Sequence, residues 1–148
     1  MDEKLIENWN QFVKPGDTVY HLGDFAFAKT SEDVEKYLCR LNGTIYLITG
    51  NHDKEPTLSA KGFYLKNIYK EIIVQNTKII LFHYPLIEWQ RKFHNALCFH
   101  GHCHGNIEAW KKEHNFCNLI DVGVDCWNYR PVSLRQILTK FPIKEMKK

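Results

Sequence analysis

The chain has 148 residues, of which 44% are hydrophobic and 25% charged, with nine Phe, seven Tyr and four Trp. That is material for one packed domain, and it excludes a disordered or low-complexity polymer. Twenty Lys and Arg against 17 Asp and Glu leave a net charge of +3, too small to mark a nucleic-acid groove on charge alone.

Leu5, Ile6, Trp9, Phe12 and Val13 recur at helical spacing before Pro15-Gly16, so residues 2–13 read as an amphipathic helix. Thr18 to Leu22 is β-branched and aromatic and runs into Gly23-Asp24. It reads as a strand with the aspartate at its C-terminal end, where open α/β sheets gather ligands. Val34, Tyr37, Leu38 and Leu41 predict a helix from Ser31 to Leu41, closed by Asn42-Gly43. Thr44 to Thr49 is the next strand, and Gly50-Asn51-His52-Asp53 its exit loop. Ile68 to Val74 and Lys78 to His83 flank Gln75-Asn76-Thr77 as a hairpin, and Leu97 to His100 and Leu119 to Val122 read as short strands. With no repeat or linker in between, residues 1–148 are expected to form one domain.

The five cysteines, Cys39, Cys98, Cys103, Cys117 and Cys126, are odd in number and contain no C-x-x-C pair. This argues against a disulfide framework or thiolate zinc site and for a reducing cytoplasm. The longest wholly aliphatic or aromatic run, Ile79 to Phe82, falls far short of the roughly 20 residues that span a bilayer. No membrane association is expected, and the lysines at 140, 144, 147 and 148 read as a solvated tail.

Four separated segments place a metal-ligand type just beyond a strand: Gly23-Asp24, Gly50-Asn51-His52-Asp53, Phe82-His83-Tyr84-Pro85 and Gly101-His102-Cys103-His104. Carboxylate, amide oxygen and imidazole together make a mixed N/O site suited to Mn²⁺, Fe, Zn²⁺ or Ni²⁺ rather than Cu(I). The ordered set resembles the calcineurin-like metallophosphoesterases, whose motifs run D-x-H, G-D, G-N-H-D/E, H and G-H-x-H. The last four occur here in that order. Val19 to Phe25 and Val122 to Ser133 are similar to a small bacterial and bacteriophage branch.

The resemblance implies an α/β sandwich of two mixed sheets flanked by helices. It makes Asp24 the carboxylate bridging two divalent metals, with Mn²⁺ the first choice. Asn51, His83 and His102 would complete one ion's shell, and His104 would belong to the other. His52 would serve the leaving-group oxygen as an acid, with Asp53 setting its tautomer and position. Such an ion pair, about 3.5 to 4 Å apart, orients a phosphate ester and supplies a hydroxide. The substrate class implied is a phosphomonoester or phosphodiester, small or nucleotide-like.

The D-x-H motif belongs on a strand before the first helix, and no histidine precedes His21. The expectation is therefore one well-held ion, a second site short of an aspartate and a histidine, and impaired hydrolysis. A truncated gene, an internal methionine taken as the start, and true loss of the motif all account for such a beginning. A missing strand should also leave a neighbour with an unpaired edge, or force its neighbours to close on each other. The competing function is a catalytically inactive, metal-retaining protein that binds a phosphate-containing ligand or acts as a regulator.

Other polar residues read differently. His21 and His100 alternate with strand neighbours and are expected in the core or behind the ligands. Cys103 should turn away from the flanking histidines, and His94 and His114 should lie at the surface. Asn128, Tyr129 and Arg130 could face a phosphate or could pack the C-terminal segment onto the body.

Overall fold

In the computed structural model, residues 3–142 are described. Asp2 and the tail residues Lys144, Lys147 and Lys148 lie outside them.

The chain opens with α1 (Glu3–Phe12), then β1 (Thr18–His21), α2 (Ser31–Leu38), β2 (Thr44–Ile48), α3 (Glu55–Ser59) and β3 (Leu65–Asn67). The remaining elements are β4 (Tyr69–Val74), β5 (Thr77–Phe82), β6 (Leu97–His100), α4 (Glu108–Glu113), β7 (Leu119–Asp121) and α5 (Leu134–Lys140). The helix expected to reach Leu41 stops at Leu38, and backbone bonds from Arg40 to Tyr37 and from Leu41 to Leu38 close it with tight turns. The short α3, β3, α4 and α5 had no sequence expectation. For α5 a signal existed: Ser133 and Gln136 form a reciprocal capping box.

Two sheets result. The first has the order β1-β2-β3 and is wholly parallel, whereas a mixed sheet was expected. The second has the order β4-β5-β6-β7, with β4 antiparallel to β5 and the rest parallel. The β4–β5 hairpin pairs Val74 with Thr77 across Gln75 and Asn76, both at positive φ (50° and 61°). That is the two-residue turn whose twist matches its flanking strands, and it favours Asn.

Alternation along the strands builds three apolar layers. On the outer face of the first sheet, Ile6, Trp9 and Val13 pack with Val34, Leu38, Ile45 and Leu47. Between the sheets, Leu22 and Ile48 meet Ile79, Leu81, Phe99, Ile120 and Ile137. On the far face of the second sheet, Ile80, Cys98 and Leu119 pack with Trp89 and Phe116. The β2 positions Leu47 and Ile48 serve opposite layers and are both fully buried.

The strand β1 is an edge, and its free side faces a cavity of about 1040 Å³. Leu5 and Trp9 of α1, Leu81 and Phe99 of the second sheet, and Leu134 and Ile137 of α5 line it. Among the described residues β1 has β2 on one side and no strand on the other, so its edge is open.

Candidate metal centre

The parallel strands β1 and β2, and β5 and β6 in the second sheet, all run toward one end of the molecule, so their exit loops meet there. Asp24, His83 and His102 each bring a ligand atom to within 4.8 Å of the others. Asn51 joins them, its Oδ1 lying 3.0 Å from His83 Nε2, and Asp24 Oδ2 lies 3.5 Å from the same nitrogen.

The geometry around His83 exposes the chemistry. Its Nδ1 is 2.6 Å from the Leu22 carbonyl oxygen, which can only accept, so the proton sits on Nδ1. In the neutral ring Nε2 then presents a lone pair to an amide oxygen and a carboxylate oxygen. Acceptors facing acceptors in a buried place repel unless a cation or a proton lies among them. With His83 only 1% exposed, this donor set fits a divalent metal held by mixed N/O ligands, and the Leu22 carbonyl fixes ring orientation.

The backbone is bent to deliver these groups. Asp24, His102 and His104 adopt positive φ of 56°, 63° and 49°, a conformation rare for residues with a Cβ and concentrated at functional sites. Gly23 (φ 96°) could carry no side chain, since a Cβ would fall 2.4 Å from His83 Nδ1. At Gly50 it would fall 2.4 Å from Asp24 Oδ1.

Asp53 holds the loops in register. It is 5% exposed, and its carboxylate accepts from the backbone N–H groups of Asp24 and Gly50 on Oδ2 and of Phe25 on Oδ1. Its hydrogen bonds thus go to three amides and not to the His52 imidazole, so its observed action is on the loop. The His52 backbone N–H donates to Asp24 Oδ1 at 2.8 Å, while its exposed ring lies 5.3 Å from that of Phe27.

His104 does not join the convergent group. It is directed to Asp125, with Nδ1 2.6 Å from Oδ2, and its side chain is 71% exposed. Asp125, which had not been singled out from sequence, stands in the carboxylate–histidine relation that usually orients a metal-binding ring. Asp121, also unanticipated, is 5% exposed and accepts from the Gly105 and Gly123 amides, fastening the loop that carries His102 and His104. Its position at the end of β7, just before Val122-Gly123, was the available signal.

His21 and His100 lie behind the site, each with a buried, unpartnered ring nitrogen. Burial pushes both imidazoles below their ordinary range; the charges of Asp53 and Asp24 oppose this at His21, and a bond to the Gly101 carbonyl opposes it at His100. Cys103 is half-buried, and His94 and His114 are exposed. The Arg130 guanidinium sits 4.7 Å over the Phe12 ring and the Tyr129 carbonyl accepts from Asn8, so this segment packs against α1.

The calcineurin-like phosphoesterase superfamily domain matches residues 2–123, and the chain belongs to that superfamily. An uncharacterized protein of Methanocaldococcus jannaschii is 34% identical over 143 residues, covering 93% of this chain and 73% of the relative. The gene 66 protein of Mycobacterium phage D29 is 24% identical over 154 residues, 86% of this chain and 76% of its own length. A solved structure, a protein of unknown function from Aquifex aeolicus, superposes with a TM-score of 0.72 at 29% identity, covering 93% of this chain and 83% of that one. Among the described residues no helix is long and apolar enough to cross a membrane.

Proposed function

We propose that this protein hydrolyses a phosphomonoester or phosphodiester with a divalent metal, Mn²⁺ ahead of Fe, Zn²⁺ or Ni²⁺, at a rate limited by an incomplete second ion site. The observation that carries the reading is the convergence of Asp24, His83 and His102 with the Asn51 oxygen on His83. When bound, the metal supplies Lewis-acid polarisation of the phosphoryl group and an activated water.

The chain's own residues supply the rest. Asp24 presents one oxygen to the ligand group and has the other held by the His52 amide. This ties the His52 backbone to the ligand group. The His52 imidazole makes no hydrogen bond among the described residues, which leaves it available to give a proton to a departing oxygen. Asp53 keeps both loops rigid through its three amide bonds.

The second reading is a metal-retaining protein that binds a phosphate-containing ligand without turnover. His104, turned to Asp125 beside the cavity along β1, favours it. The two readings part on the hydrolysis of bis-p-nitrophenyl phosphate and p-nitrophenyl phosphate by Mn²⁺-reconstituted protein. Turnover abolished by Asp24→Ala and reduced by His52→Ala supports the enzyme. Turnover no higher in the native protein than in Asp24→Ala supports the binding protein. A cytoplasmic site of action is part of the same proposal and follows from the cysteine usage.

A further inference from the structure

Phe27 is 83% exposed. It lies three residues after Asp24, in the loop that Asp53 ties down, and its neighbours on both sides are held: Ala26 and Ala28 pack against the core under the first sheet, as does buried Phe25. The chain therefore fixes this stretch and turns one large aromatic ring outward. The ring's observed contact is the His52 imidazole, 5.3 Å between centroids at 56°.

An exposed phenylalanine alone carries no function, because single apolar side chains are common on surfaces. Two features set this one apart. It flanks the group that serves the leaving-group side of the proposed reaction, and the imidazole it touches makes no hydrogen bond among the described residues. A ligand whose phosphate met the metal group and whose ester oxygen met His52 would carry its organic part onto the face of Phe27. A planar ring suits that face, since aromatic stacking is tolerant of ring identity and strengthens binding without directional hydrogen bonds.

We infer that Phe27 and His52 form a leaving-group subsite for phosphate esters carrying a planar aromatic group, a nucleobase or a simple aryl ring. The inference rests on the phosphoesterase reading of the site, including its binding-only form, and adds to it the class of organic group accepted. Phe27 is a specificity residue here: it contacts the organic group and moves no proton.

Equilibrium binding tests it without relying on turnover. Calorimetry on Mn²⁺-reconstituted protein compares adenosine 5′-monophosphate with ribose 5-phosphate, and phenyl phosphate with methyl phosphate, using inorganic phosphate as reference. At least one aromatic ligand should bind about tenfold more tightly than its ring-free counterpart. Phe27→Ala should bring that ratio to about one to two, and leave affinity for inorganic phosphate unchanged. An advantage in the first pair alone assigns the subsite to nucleotides, and one in the second to aryl esters. Phosphate binding with no aromatic advantage, or an advantage that survives Phe27→Ala, overturns this inference and leaves the phosphate site standing. Failure of all five ligands to bind overturns the phosphate site and the inference together. The ring is so exposed that its removal takes little packing from the fold, and unchanged thermal unfolding checks this.

Discussion

The two halves of the ligand-bearing end are built to different standards. On one side Asp24, Asn51, His83 and His102 approach one another; Asp24 and His83 are held from behind, while exposed His102 meets the rings of His83 and Tyr84. The Leu22 carbonyl holds His83, Asp53 holds the loop of Asp24, and Gly23 and Gly50 let backbone come within van der Waals contact of the ligands. On the other side His104 stands 71% exposed against Asp125, beside the unpaired edge of β1 and a cavity of about 1040 Å³. The difference shows that a loop can carry the right residue type and still not make a site. What closes the first half is its set of buried hydrogen bonds, whereas in the second half the described residues bring only the Asp125 carboxylate to His104.

The largest effect should come from breaking the closed half at its centre. Asp24→Ala removes the carboxylate that meets both His83 and the His52 amide, and Mn²⁺ affinity should fall by more than about 100-fold in a calorimetric titration. Retention of native affinity would show that the cation sits elsewhere.

Next is Asp53→Asn, which keeps the shape and removes the charge. One oxygen becomes an NH2 group that cannot accept, so at least one of the three backbone N–H groups loses its partner and the others meet a weaker acceptor, and urea unfolding should show a loss of about 3 kcal/mol. A change within about 0.5 kcal/mol would mean that the loops do not depend on this carboxylate.

Acid should weaken the region behind the site. The folded-state pKa values of His21 and His100 are lowered by burial from the ordinary 6.5. The unfolded chain therefore binds more protons below that pH. Stability is fully present above 6.5 and falls as pH drops through the window between 6.5 and the lower folded values, by up to about 1.4 kcal/mol per pH unit for each histidine. Denaturant unfolding of metal-free protein across pH 7.5 to 5 checks the sign, and His100→Gln should flatten the slope.

The smallest effect should come from the open half. His104→Ala should alter the affinity of the tight Mn²⁺ site by less than about twofold, because the ring does not enter the convergent group. A loss matching that of Asp24→Ala would erase the contrast between the halves.

The contrast was only half visible in the sequence. Asp24, Asn51, His83 and His102 could be placed together because each follows a strand with clear β-branched or apolar patterning, and parallel strands deliver their exits to one end. The grouping of His104 with its partner could not, since Asp125 lies 21 residues further on, in a 3₁₀ turn with no periodic signal. Asp53 was legible as a site residue but not in its manner of action, because backbone amides leave no mark on residue identity. The strand β3 has only three residues and half-exposed positions, too few for any alternation to register. The cavity was not legible, because whether neighbouring elements close over a strand edge depends on packing rather than on any local pattern.

The central claim is that this chain grips one divalent cation tightly, and the direct measurement is the stoichiometry and affinity of Mn²⁺ binding to chelator-stripped protein. One tight ion per chain is expected, with any second ion at least about 100-fold weaker. Two ions of equal affinity, or none, would contradict it.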